Sequence, residues 1–274
     1  MSYKIFANHA HVFPDYLRPE GTVEKLIELM DECEIDKAVC FAPFEGNFTF
    51  RGYEDVHNEF LAEKIAGNDR LVGFGTLDFD RDDLEKQVDD VVSYGFKGIK
   101  IHPAYQEINI MGEKAQRVYK AAEEKGLFLS FHTGIHWHRI ADYNTLLYDE
   151  IAFNFPNLKF SMEHFGGYHF FREALGVLVN NKRRDPKTVY AGWTTMAMND
   201  KNGLADNWSH TDEELLTLVN QTGKDIHIFG LDYPYNDAQE TKDAIKRIQS
   251  LDLPENTKEA ILGGNLARVL GIDL

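Results

Sequence analysis

Two histidines, His9 and His11, sit one residue apart inside an apolar run, FANHAHVF, near the start of the chain. Side chains alternate across a strand, so both imidazoles are expected on one face with Ile5 and Ala7, roughly 7 Å apart along it. A lone histidine on an apolar strand is ordinarily a satisfied core residue, but two in register each need a partner once buried. At that separation they can converge on one ion beyond the strand end. The placement recurs. His132 ends LFLSFHTG on the face of Ser130, His164 ends KFSMEHFGG, and Asp232 ends IHIFGLDYP on the face of Gly230 and Ile228. Each lies just before the chain turns, and the small residues Ala7, Ser130 and Gly230 leave room beneath. Imidazoles with one carboxylate suit Zn²⁺ or a similar divalent ion that keeps an open position for water. Such an ion lowers the pKa of its water toward neutrality. Asp232 can take the water proton and return it to a leaving group, while His164 orients the water or polarises a carbonyl. The chemistry expected first is hydrolysis of an amide, lactone or ester. The same groups can decarboxylate an unsaturated or aromatic acid by delivering a proton to carbon as CO₂ leaves. A metal-binding barrel without activity is a third reading, and an intact ligand set argues against it.

The elements that would position these residues alternate without a break. Eight apolar runs bounded by turn residues read as buried strands beginning near residues 4, 37, 70, 96, 127, 158, 188 and 226. Amphipathic stretches separate them. TVEKLIELMDECE follows a Thr cap, DDLEKQVDDVVSYG and EKAQRVYKAAEEKG end in Gly, and TDEELLTLVNQTG opens on a capping signature. Parallel strands need crossovers of this length, and eight βα units in 274 residues predict one (β/α)₈ TIM barrel over residues 1–274. No Gly-rich phosphate loop follows the first strand, which argues against a doubly wound open sheet. The tail ENTKEAILGGNLARVLGIDL reads as a final helix. Two loops, EGNFTFRGYED and MAMNDKNGLADNWSH, are long for their task and leave strand ends where barrel active sites are built.

Other residues offer weaker signals. Lys100 and His102 share a face of the fourth strand, where Lys100 reads as substrate-facing or ion-paired. The segment GIHWHRIADY brings Trp137, His138 and Arg139 to the mouth, and Arg139 could clamp a substrate carboxylate or stand in solvent. Trp193 could line the pocket or pack under helices. Glu163, on the opposite face from His164, reads as structural. A net charge of −16 opposes a nucleic-acid partner. No run approaches the ~18 apolar residues of a membrane span, and the N-terminus lacks the pattern of a signal peptide. Cys33 and Cys40 have no metal or redox spacing and read as buried thiols. A cytoplasmic protein with a small-molecule substrate is expected, with homo-oligomer formation left open.

HAH, HTG, EHFGG, FGLDYP and ILGGNLARVLGI, in this order and at barrel spacing, resemble the amidohydrolase superfamily. The likeness is to the branch of amino-carboxymuconate-semialdehyde decarboxylase, related aromatic-acid decarboxylases and lactone hydrolases, and it covers nearly the whole chain. The resemblance implies a metal held by His9, His11, His132 and Asp232, with His164 contacting water or substrate. Binuclear members carry a carboxylated lysine at the end of the fourth strand, so Lys100 raises that alternative. The mononuclear branch is the closer match, which implies one Zn²⁺ per chain, or two if Lys100 is carboxylated.

Overall fold

Eight parallel strands close on themselves in sequence order, each hydrogen-bonded to the next and the eighth to the first. They are β1 (Phe6–His11), β2 (Lys37–Phe41), β3 (Leu71–Gly75), β4 (Gly98–Ile101), β5 (Phe128–His132), β6 (Lys159–Glu163), β7 (Val189–Trp193) and β8 (His227–Tyr233). This computed structural model describes residues 3–46, 57–195 and 208–274. The strands begin within two residues of the positions predicted from the apolar runs, and the (β/α)₈ barrel is the architecture found.

The crossovers form where the sequence supplies caps. In α1 (Val23–Glu32), the Thr22 hydroxyl accepts from the Lys25 amide. Next come α2 (His57–Ile65), α3 (Leu84–Ser93) and α4 (Glu113–Lys125). The last of these stops at Gly126, which takes the left-handed φ of 68° that glycine tolerates best. α5 (Leu147–Asn154) and α6 (Gly167–Asn181) follow, and α7 (Asp212–Thr222) opens on a complete capping box between Thr211 and Glu214. α8 (Ala238–Ser250) has its own box between Asp237 and Glu240. The tail is helical from Glu255 to Leu270, as α9 (Glu255–Glu259), a π-turn over Ala260–Gly264 and α10 (Asn265–Leu270). It packs on the start of β1, where a Cβ at Gly263 would meet the Phe6 amide nitrogen at 2.7 Å. The Asn265 amide also donates to the Lys224 and His227 carbonyls.

The core fills both sides of the strands. Phe41 and Phe74 pack with ring centroids 5.8 Å apart, and Phe131 meets Phe160 at 5.6 Å. Trp193 packs beneath the helices, donating to His227 and facing Phe165. Burial of each large ring contributes roughly 1.5–3 kcal/mol. Both cysteines are free and buried. Among the described residues no helix is long and apolar enough to cross a membrane. Most of the two long loops predicted at the mouth, residues 47–56 and 196–207, lies outside the described residues.

One local feature departs from the alternation expected of a strand. β1 carries a register shift against both neighbours between residue 7 or 8 and Ala10, and His9 sits there at φ 68°. Such a bulge re-aims side chains. Asn8 and His9, adjacent in sequence, both reach Glu163: Asn8 Nδ2 donates to Oε1 at 2.7 Å and His9 Nδ1 lies 3.2 Å from Oε2. The expected common face of Ile5, Ala7, His9 and His11 is thus interrupted, and the His9 and His11 rings meet edge to face with centroids 5.0 Å apart.

Candidate metal centre

At the C-terminal ends of β1 and β8, His9, His11 and Asp232 offer ligand atoms that all lie within 4.8 Å of one another. His9 holds its place through the bulge. Asp232 does so at φ 56°, and the turn after β6 presents His164 at φ 61°. Left-handed backbone is costly for non-glycine residues, on the order of 1–3 kcal/mol each, and tends to collect at functional sites. Gly230 makes room beneath, since a Cβ there would approach Thr194 Oγ1 at 2.6 Å and the His9 Cβ at 3.3 Å.

The electrostatics suit a cation. Burial first, then the charge of Lys100 and neighbouring imidazoles, pushes His9 and His11 well below the ordinary histidine value, so both rings are neutral and able to coordinate. Burial raises the Asp232 carboxyl, opposed by the hydroxyl of Thr195, which donates to Oδ2 at 2.8 Å, and by Lys100. His9 Nε2 lies 3.3 Å from Asp232 Oδ1. Two acceptor atoms held at that separation repel each other unless a proton or a cation lies near both. The donor set, nitrogen-rich with one carboxylate, is one that Zn²⁺ prefers.

Lys100, at the end of β4, is completely buried in this centre. Its Nζ contacts His9 Nε2 at 3.2 Å and lies 5.1 Å from the centre of the Phe41 ring. Burial lowers its pKa, while the Glu163 and Asp232 carboxylates work in the opposite direction. Lys100 is thus part of the cluster itself.

His132 lies one step further out. Its ring stacks on His102, with centroids 3.9 Å apart and planes 9° from parallel, and meets His164 at 4.9 Å. His164 in turn meets His9 at 5.3 Å. Two imidazole nitrogens here are buried without a hydrogen-bond partner among the described residues: His132 Nε2 and His164 Nδ1. Unpartnered imidazole nitrogens converging on a strand-end cluster fit a site that binds something.

Several residues reach the centre without having been singled out in the sequence. His136 packs against His102 at 4.5 Å and His132 at 5.3 Å. Trp208, at the described end of the second long loop, covers His164 at 4.8 Å and His132 at 5.2 Å. Tyr235 faces His11 at 5.9 Å, and the Arg18 guanidinium lies 4.6 Å from the Tyr235 ring centre. Their positions depend on loop paths, for which the sequence carries no periodic signal. By contrast, Trp137 stands 82% exposed and packs its ring against His136 at 4.8 Å. Arg139 is exposed and pairs with Asp142 at 3.7 Å, and His138 faces the same carboxylate.

Glu163, read as structural, is fully buried and hydrogen-bonded through both carboxylate oxygens, and it also lies beside His9, with Oε2 3.2 Å from Nδ1.

A closed parallel barrel with imidazoles and a carboxylate gathered at its C-terminal mouth has the organisation of a barrel enzyme. The sequence profile described as Amidohydrolase matches residues 9–272, and the chain belongs to that family. Solved structures share the fold at low identity. The 5-carboxyvanillate decarboxylase of Sphingomonas paucimobilis superposes with a TM-score of 0.71 at 16% identity, covering 99% of this chain and 100% of its own. A dihydroxybenzoic acid decarboxylase from Polaromonas, solved with manganese and 2-nitroresorcinol, gives 0.66 at 14% identity over 98% and 97% of the two chains. A Pseudomonas putida protein described as a candidate 2-pyrone-4,6-dicarboxylic acid hydrolase gives 0.70 at 15% identity over the full length of both.

Proposed function

We propose that this enzyme is a metal-dependent decarboxylase of a small aromatic or unsaturated carboxylic acid. The observation that carries the metal is the convergence of His9, His11 and Asp232 within 4.8 Å. The ring-lined mouth favours a flat, conjugated substrate. Phe44 faces His11, His102 and Tyr105, and Trp208 covers His132 and His164. The decarboxylases named above share this fold, and their substrates belong to that chemical class. Sequence alone puts hydrolysis first; the aromatic lining reverses that order.

His9, His11 and Asp232 would hold the ion, with His132 as the fourth ligand of the proposal. Zn²⁺ is our first choice from the donor set, and Mn²⁺, present in the Polaromonas decarboxylase, the second. A bound ion would polarise a substrate oxygen and stabilise the negative charge that develops during reaction. The protein's own groups do the rest. Arg18, whose Nε pairs with Glu20 at 2.8 Å and whose guanidinium rests on Tyr235 near His11, is the cation that a substrate carboxylate or phenolate would meet at the mouth, in competition with Glu20. Neutral His164, held well below its usual pKa by burial, donates or accepts a hydrogen bond through an unpaired nitrogen and so orients the ring. Asp232, whose carboxyl burial raises, can carry the proton that replaces CO₂ on carbon, while the electrons of the broken C–C bond remain on that carbon. Lys100 is read as unmodified and the site as mononuclear, in keeping with the closer resemblance to the mononuclear branch; its Nζ lies 3.2 Å from His9 Nε2.

Hydrolysis of a lactone or amide is the second reading. The place of Asp232 in the cluster favours it, since a carboxylate beside a bound ion could take the proton of a water that the ion polarises. A panel of hydroxybenzoates, carboxyvanillate-like acids and small lactones, assayed with Zn²⁺ or Mn²⁺, separates the two. Release of CO₂ from an acid supports decarboxylation. Acid release from a lactone, with no CO₂ from any acid, replaces it by hydrolysis.

A further inference from the structure

Glu163 closes β6 with no exposed surface and a complete set of neighbours. Its Oε1 accepts from Asn8 Nδ2 at 2.7 Å, from Ser130 Oγ at 3.2 Å and, through a shorter contact, from the Ser161 hydroxyl. Its Oε2 accepts from Thr194 Oγ1 at 2.6 Å and faces His9 Nδ1 at 3.2 Å. These hydroxyl and amide donors come from β1, β5, β6 and the residue after β7, so the carboxylate ties together parts of the barrel that are not all adjacent. The space is built for it: a Cβ at Gly192 would lie 2.3 Å from Oε2. A carboxylate so placed is an ion satisfied by hydroxyl and amide donors, at an interior position where an apolar side chain would pack more simply.

The imidazole beside it has one proton to place and three charged neighbours. Nε2 lies 3.2 Å from the Lys100 ammonium and 3.3 Å from Asp232 Oδ1, while Nδ1 faces only Glu163 and has no aligned hydrogen bond. With the proton on Nε2, that nitrogen would point a hydrogen at an ammonium and Nδ1 would present a bare lone pair to a carboxylate. With the proton on Nδ1, both conflicts ease: in the metal-free protein the Lys100 ammonium donates to Nε2 and stands between it and the charge of Asp232, Nδ1–H lies beside the Glu163 carboxylate, and a bound ion would take the place of the Lys100 donor.

We propose that Glu163 is a positioning residue that fixes His9 as the Nδ1–H tautomer and so reserves Nε2 for the metal. Carboxylates that orient ligating histidines act in this way and raise ligand basicity. Glu163 touches neither substrate nor ion; it works through His9. The inference rests on the metal reading given above, and its test separates the two.

The first measurement uses the metal-free wild-type protein. Ring ¹⁵N shifts of His9 are expected to report protonated Nδ1 and bare Nε2; protonated Nε2 overturns the proposal. The second is Zn²⁺ affinity by competition with a chromophoric chelator. Glu163→Gln keeps the shape and an acceptor for the hydroxyls but removes the charge facing Nδ1. Its Zn²⁺ affinity is expected to fall about 10- to 100-fold, with loss of the single His9 tautomer. Ser161→Ala removes one of the donors to the far oxygen and is expected to keep wild-type affinity and tautomer. Equal affinity in wild type and Glu163→Gln, or an equal loss in Ser161→Ala, overturns the proposal. If Glu163→Gln does not fold, the wild-type tautomer decides. If wild type binds no Zn²⁺, the metal reading fails while the tautomer measurement still decides the role of Glu163.

Discussion

Asp232 and His164 both lie against His9 yet should behave differently when altered. Asp232 supplies an oxygen to the three-residue cluster and carries a carboxyl raised by burial. Asp232→Asn keeps the size, weakens the oxygen ligand and removes the proton carrier, so both metal retention and turnover are expected to fall. His164 lies against His9 and His132 without belonging to the three-residue cluster. His164→Asn is expected to keep the metal while turnover falls about 10²-fold or more, the scale of a positioned acid–base or polarising group. Elemental analysis with single-turnover kinetics on both variants checks the contrast. Release of the metal from His164→Asn would make His164 a ligand and favour the binuclear arrangement with carboxylated Lys100. Arg18→Met is expected to raise KM for a carboxylate substrate more than it lowers kcat, because its guanidinium meets the substrate away from the cluster.

At the scale of elements, the strands were legible because each apolar run is short and bounded by turn residues. The candidate ligands were legible because histidine and aspartate are costly at the ends of such runs. What could not be read depends on backbone that departs from its period. The bulge at His9 leaves no mark in FANHAHVF, since the residue in the left-handed conformation is a histidine and no glycine announces it. Alternation alone put Glu163 opposite His164 and assigned it no chemistry; the turn that begins at His164 lets both neighbours face the cluster region. His136 and Trp208 arrive by loops. The elements also carry a pH dependence away from the centre. At the foot of β8, His227 accepts from the Trp193 indole at Nδ1, and its Nε2 lies 2.8 Å from the Gly223 carbonyl. Burial depresses it from 6.5 to about 4. Between those values the unfolded chain binds a proton that the native state does not, so stability rises with pH there and is lost on acidification. The loss is about 1.4 kcal/mol per pH unit for one such group. Denaturant melts at pH 7 and 5 should show it, and His227→Asn should flatten the slope. An equal slope in the variant would mean that other groups govern it.

For the molecule as a whole, folding and metal binding should be linked. The proposed ligands come from β1, β5 and β8, which only the closed barrel brings together. The unfolded chain has no such site, so an ion at about 100 times its Kd should add roughly 2.7 kcal/mol to stability, seen as a rise in Tm of several degrees that chelator reverses. The most direct test is elemental analysis of the purified protein, before and after exchange with Zn²⁺, beside a His9→Ala, His11→Ala double variant. About one tightly held divalent ion per wild-type chain and none in the variant is the predicted result. A wild-type chain that retains no metal and gains none on addition of Zn²⁺ or Mn²⁺ would contradict it.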